Sequence, residues 1–111
     1  MIETLLYNFI NQRASVSWYM LRPETEPSKY GLFEKTGATK SEHITTSTFA
    51  FQSYAPTLLE AAQISEELRG IVESSVSEDE ICKVTLTGEY NFTNPQTKQP
   101  RYQAVFSIVH Y

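Results

Sequence analysis

Residues 102–111 read YQAVFSIVHY, a pattern that predicts a β-strand. Successive side chains of a strand point to opposite faces, and the even positions place an apolar row on one face: Tyr102, Ala104, Phe106 and Ile108. The odd positions place Val105, Val109 and Tyr111 on the other face. A two-layer domain covers only one face of its sheet, so we expect this second row to contact another subunit or another protein. The alternative is a central strand with helices on both sides.

The segment before this strand predicts its antiparallel partner. Cys82, Val84 and Leu86 alternate with polar residues, and the strand continues to Phe92, before a turn at residues 93–98. Cys82 is the only cysteine, which excludes an intramolecular disulfide and a cysteine metal cage. Its apolar neighbours predict that it is a small buried side chain.

Two segments have the apolar spacing of amphipathic helices. The stripe of the first consists of Ile2, Leu5, Leu6, Phe9 and Ile10. The second helix is expected to begin near Ser53 and Pro56, because serine caps helices and proline is tolerated in the first turn. Its stripe consists of Leu58, Ala61, Ala62, Leu68, Ile71 and Val72.

Three further strands are predicted between the helices. The first alternates around Trp18, which we expect in the core, and it ends before Pro23. Residues 30–35 predict a second strand that pairs with the first as a hairpin. Residues 36–43 are rich in turn formers and predict a loop, whereas residues 44–52 are rich in Thr and Phe and predict a third strand.

The resulting order is α-β-β-β-α-β-β. It predicts a single α+β domain over residues 1–111, with an antiparallel sheet of about five strands and two helices. If both helices cover the same face, the row of Val105, Val109 and Tyr111 is left uncovered and becomes a candidate subunit or partner interface.

Composition excludes several classes of function. A formal net charge of -4 argues against a free-standing nucleic-acid binder, because neutralising phosphates requires a basic face. No apolar run approaches the roughly 20 residues that a membrane span requires, and the first residues lack the basic start of a secretory signal. A single cysteine fits a reducing cytoplasm.

No catalytic motif is present, and we expect no enzyme, no cofactor and no metal. His43 and His110 have no neighbouring carboxylate or cysteine pattern, so they are interpreted as surface histidines. The run Glu78-Asp79-Glu80 lacks the alternating ligand spacing of a calcium loop and predicts a solvated turn.

Three lysines of the first hairpin and the following loop are candidate loop contacts: Lys29, Lys35 and Lys40. Basic loops on an acidic body can face DNA or an acidic partner in an assembly. The alternative is that they serve only to solvate the surface.

Three groups of residues carry a resemblance to a known family. They are Tyr30 with residues 34–37 (EKTG), residues 48–55 (TFAFQSYA), and residues 90–93 (YNFT) with residues 101–106 (RYQAVF). In segment order and in these stretches, over nearly the whole chain, the sequence resembles the small tail-completion or tail-terminator proteins of long-tailed phages and prophages of Gram-positive bacteria.

The resemblance implies an α+β protein without enzymatic activity or cofactor. It implies a ring, commonly six-fold, that caps the finished tail tube and joins it to the head. The implied partners are further copies of the chain, the tail tube protein and a head-side connector protein, with DNA touched at most indirectly and no membrane. The implied location is the virion, after synthesis in the bacterial host cytoplasm. The alternatives are a head-side connector or minor capsid protein and, from another class, a small-ligand binding domain with an aromatic pocket.

Overall fold

A computed structural model describes all of residues 1–111. It confirms the α+β class and the predicted order of elements. The elements are α1 (Ile2–Asn11), β1 (Trp18–Tyr19), β2 (Tyr30–Ser41), β3 (Ile44–Tyr54), α2 (Leu58–Ser74), β4 (Ile81–Asn91) and β5 (Arg101–His110), with a 3₁₀ turn at Ser75–Ser77.

The five strands form one sheet in the order β1-β2-β3-β5-β4. The pairs β2–β3, β3–β5 and β4–β5 are antiparallel, but β1 pairs with β2 in parallel. The predicted first hairpin is therefore wrong. The side-chain amide of Asn11 at the end of α1 accepts from the Trp18 N–H at 2.9 Å and donates to the Trp18 carbonyl at 3.0 Å. These two bonds hold the start of β1 against the end of α1, and residues 20–29 then lead to the start of β2.

The predicted loop at residues 36–43 is also wrong, because β2 and β3 form one long hairpin. Only Glu42 and His43 lie outside the strands, and Glu42 adopts a positive φ of 57°. Threonine favours strands, and Thr39 pairs directly with Thr46 across the hairpin. A bulge between Lys35 and Gly37 accommodates the extra residue Thr36.

Both helices pack on one face of the sheet, here called the helix face. The even row of β5 lies there, with Ala104, Phe106 and Ile108 fully buried. They share one cluster with α1 and α2, which confirms the predicted core row except for Tyr102, which is only partly buried.

The helix α2 begins one turn later than Ser53 suggests. Its cap is Thr57, whose hydroxyl accepts from the Glu60 N–H at 3.2 Å. Ser53 belongs to β3, and its buried hydroxyl donates to the Ala61 carbonyl at 3.0 Å. The predicted stripe residue Leu58 is exposed, and Ile64 lies in the core instead.

Candidate interaction surface

The face of the sheet opposite the helices, here called the open face, carries the predicted odd row of β5. Val105 pairs with Ala50 on β3, and Val109 pairs with Thr46. Both valines are half-buried by their neighbours in the sheet, and no helix packs over them.

The middle of the open face is rich in hydroxyl groups. Ser107 lies between Val105 and Val109, and its partners across the sheet are Thr48 and Thr85. Ser107 and its two threonine partners thus separate Val105 from Val109 with short polar side chains. Such a surface suits contact with a partner that is itself partly polar.

Tyr111 lies beyond the end of β5 and is 69% exposed. Its backbone N–H donates to the Glu80 carbonyl at 3.0 Å, which holds it beside the start of β4. A hydrogen bond with Cys82 raises the pKa of the Tyr111 phenol. Cys82 is exposed, so the prediction that it is buried is wrong. A bulge between Ile81 and Lys83 makes Cys82 the extra residue and breaks the alternation on which that prediction depended.

A cluster of arginine and tyrosine side chains, here called the arginine cluster, covers the other end of the open face. The rings of Tyr30 and Tyr54 stack with their centroids 4.7 Å apart. The Tyr54 hydroxyl lies 3.4 Å from Nη2 of Arg22 and 3.1 Å from Nη1 of Arg101, and both guanidinium groups donate to it. Burial raises the pKa of Tyr30, so this phenol stays neutral beside Arg22.

A chain of amide hydrogen bonds connects this cluster to the edge strand. The Tyr54 hydroxyl donates to Oε1 of Gln52 at 3.1 Å, and Gln52 donates to Gln103 at 2.8 Å. Gln103 then donates to the Tyr90 hydroxyl at 2.7 Å. The chain crosses β3, β5 and β4, so it fixes the side chains of this end of the sheet relative to one another.

The arginine cluster carries an excess of positive charge. Glu26 pairs with Arg22 at 2.6 Å and raises the pKa of that guanidinium. Arg101 forms no ion pair; its Nε donates to the Phe92 carbonyl at 2.8 Å, and its guanidinium lies 4.6 Å from the centre of the Phe92 ring. A cavity of about 90 Å³ opens beside the two guanidinium groups, lined by Arg22, Tyr54, Asn94, Thr97, Gln99 and Arg101.

The structure does not bring the three candidate lysines together. Lys29 pairs with Glu60 at the start of α2 at 2.6 Å, and Lys35 pairs with Glu3 of α1 at 3.2 Å on the helix face. Lys40 lies near the tip of the β2–β3 hairpin and forms no ion pair. Lys29 and Lys35 therefore connect the sheet region to the helices, and only Lys40 remains free to contact a partner.

The two histidines differ. His43 is exposed in the hairpin turn, as expected, whereas the surface prediction for His110 is wrong. His110 is 8% exposed, and its Nε2 lies 2.8 Å from Oγ of the buried Ser47. Neither histidine lines a cavity. The hydrogen bond between His110 and Ser47 satisfies polar atoms that are buried in the core.

Sequence reasoning missed the arginine cluster, because its residues come from three distant segments. One signal could have indicated it. Tyr30 and Leu32 on β2, like Gln52 and Tyr54 on β3, are two residues apart and so share the face opposite the core row of Phe33 and Phe51. No protein-family model matches the chain, and a search of the curated proteins gave no match either. No group of three or more potential metal ligands occurs, and neither helix is long and apolar enough to span a membrane.

Proposed function

We propose that this protein is a structural assembly protein of a long-tailed phage or prophage. In this proposal it caps the finished tail tube as a ring and takes part in joining the tail to the head. It is made in the host cytoplasm and ends in the virion, between the tail tube protein and a head-side connector protein. The role depends on shape and contact and requires no cofactor.

The observation that carries the proposal is the open face. The helix face holds both helices and the core, whereas Val105 and Val109 lie on the opposite face with no helix over them. A ring uses heterologous contacts, in which one surface of a subunit meets a different surface of the next. The open face is our candidate for one such surface, and the α+β class of the fold agrees with what the family resemblance implies.

The strand edges are less suited to the contact between subunits. The outer edge of β4 is free, and β1 covers β2 only at Gly31 and Leu32. The part of β2 that β1 leaves uncovered contains one bulge, and β4 contains two. Bulges on edge strands prevent edge-to-edge pairing, so faces and strand ends are the better candidates for a ring contact.

The test is deletion of the gene in the phage or prophage that carries it. We expect heads and tail tubes to form, but the tubes should be of irregular length or remain unjoined. A plasmid copy of the wild-type gene should restore infectious particles. Normal virions after deletion would refute the proposal.

A binding experiment separates this role from that of a head-side connector. Purified protein is mixed with isolated tail tubes and, separately, with filled heads, and both samples are imaged by electron microscopy. Additional density at one end of the tubes supports the tail role. Density on the heads, together with normal-length free tails in the deletion strain, supports the connector.

A further inference from the structure

Opposite charges lie at the two ends of the sheet. Arg101 begins β5 beside the end of β4, where Asn91 pairs with Tyr102. At the other end of the same two strands, Ile81 pairs with His110, directly after the run Glu78–Glu80. At about 3.3 Å per residue, the length of β4 separates the two ends by roughly 30 Å.

The arginine cluster has the features of a site that binds a carboxylate. Two guanidinium groups converge on the Tyr54 hydroxyl, and only Glu26 forms an ion pair with them. Nη2 of Arg101 donates to no atom of the protein. The polar side chains of Asn94 and Thr97 line the same cavity. The planar fork of arginine matches a carboxylate through two parallel hydrogen bonds.

The run Glu78–Glu80, here called the acidic turn, presents three exposed side chains that take part in no ion pair. Its backbone is held in place by three hydrogen bonds. The Glu78 N–H donates to the Ser75 carbonyl at 2.9 Å, the Ile81 N–H to Glu78 at 3.0 Å, and the Tyr111 N–H to Glu80 at 3.0 Å. The carboxylates are thus displayed from a fixed turn, which lowers the entropic cost of binding them.

We propose that the arginine cluster binds the acidic turn of a second copy of this chain. The occupant follows from charge complementarity: the excess charge of the cluster is positive, and the acidic turn is the unpaired negative group at the opposite end of the molecule. A contact between two different ends is heterologous, so repeated copies form a ring or an open filament. The inference rests on the proposed function for its place in a ring, and it names the contact that builds it.

Charge reversal tests this contact directly. One variant carries Arg22→Glu and Arg101→Glu, and a second carries Glu78→Arg, Asp79→Arg and Glu80→Arg. Sedimentation velocity at low salt should show self-association of the wild type, weakened by added salt, and each variant alone should associate about tenfold or more weakly. An equimolar mixture of the two variants should associate again. The reversed, negative cluster of the first variant can then bind the reversed, positive turn of the second, and the unchanged cluster of the second can bind the unchanged acidic turn of the first.

Matched controls separate this effect from a loss of folding. Lys98→Glu reverses an exposed charge on the turn at residues 94–99, outside the cavity lining, and should leave association unchanged. Circular dichroism reports whether each variant is folded. If the arginine variant unfolds, the neutral set Glu78→Gln, Asp79→Asn and Glu80→Gln takes its place, since those side chains are exposed and form no ion pair in the fold.

Three outcomes overturn the inference. The first is a wild type that stays monomeric at the highest accessible concentration, with no association in the mixed variants. The second is association that survives reversal of the arginines. The third is binding of a single-stranded oligonucleotide that requires Arg22 and Arg101, which assigns the site to phosphate. The proposed tail role is tested separately. It fails if the deletion strain makes normal virions, or if the protein binds heads and the deletion strain makes normal-length free tails.

Discussion

The backbone of Gly31 lies directly against the indole ring of Trp18. A Cβ placed on Gly31 would lie 2.2 Å from the ring, far inside van der Waals contact. The two residues are partners in the only parallel pair of the sheet, and Trp18 is 1% exposed. The position of the indole, and with it the return of the chain after α1, depends on the absence of a side chain at residue 31.

We expect Gly31→Ala to destabilise the fold by about 3 kcal/mol, because the ring is surrounded by the core and cannot move away without strain. Gly70→Ala is the matched control. Gly70 lies inside α2, and a Cβ there meets no atom within 4 Å. Alanine should therefore stabilise the helix by about 1 kcal/mol. Urea unfolding measures the free energy of unfolding of both variants. A Gly31→Ala variant as stable as the Gly70→Ala variant would contradict the role of Gly31.

Nε1 of Trp18 is buried and has no hydrogen-bond partner. Trp18→Phe removes this unsatisfied donor and keeps an aromatic ring against Phe51, so it should cost only about 1 kcal/mol. Trp18→Ala leaves a large cavity and should cost about 4 kcal/mol. Chemical unfolding measures the stability of the two variants. An equal loss of stability in Trp18→Phe and Trp18→Ala would show that an aromatic ring at residue 18 does not preserve the packing.

Alternation along the chain was sufficient to predict the core of β5 and the amphipathic α1. It failed where a strand contains an extra residue, because a bulge shifts every following side chain to the other face. Cys82 is the clearest case: it alternates with Lys83 as a buried strand residue would, yet the bulge after Ile81 leaves it exposed. A bulge has no reliable signature in a single sequence.

The arginine cluster could not be predicted for a different reason. It depends on the pairing order of the strands, which brings Arg22, Tyr54 and Arg101 together from segments far apart in the chain. His110 shows the same limit in one residue. The sequence predicts a surface residue there, because only the register of β3 against β5 brings the buried Ser47 next to it.

For the open face, we expect Val109→Asp to weaken association or tail binding while the monomer remains folded. Val109 is half-buried, and Lys83 lies opposite it across the sheet, so an aspartate there finds a cation and should cost about 1 kcal/mol. The neighbouring Ile108→Asp is the control, because Ile108 is fully buried and a charge there should unfold the protein. If Val109→Asp also abolishes the circular-dichroism spectrum, the residue belongs to the core and the interface prediction fails.

Acid should remove the stabilisation that comes from two carboxylates on the helices. A hydrogen bond from Lys29 and another from Thr57 lower the pKa of Glu60 below its ordinary value of 4.5. For Glu3, burial raises the pKa, but a backbone hydrogen bond and Lys35 outweigh it, and the pKa is lowered from 4.5. Because folding favours the ionised forms, this stabilisation is fully present above pH 4.5 and is lost as the pH falls below 4.5 through the folded pKa values.

We therefore expect Lys35→Met to lower the thermal midpoint slightly at neutral pH and to have little effect well below pH 4.5, where Glu3 is protonated. Added salt should reduce the difference at neutral pH, since the pair is partly exposed. Lys40→Met is the matched control, because Lys40 lies on the same strand and forms no ion pair. Thermal unfolding across this pH range measures the effect, and an identical pH dependence for both variants would show that the bond between Lys35 and Glu3 does not stabilise the attachment of α1 to the sheet.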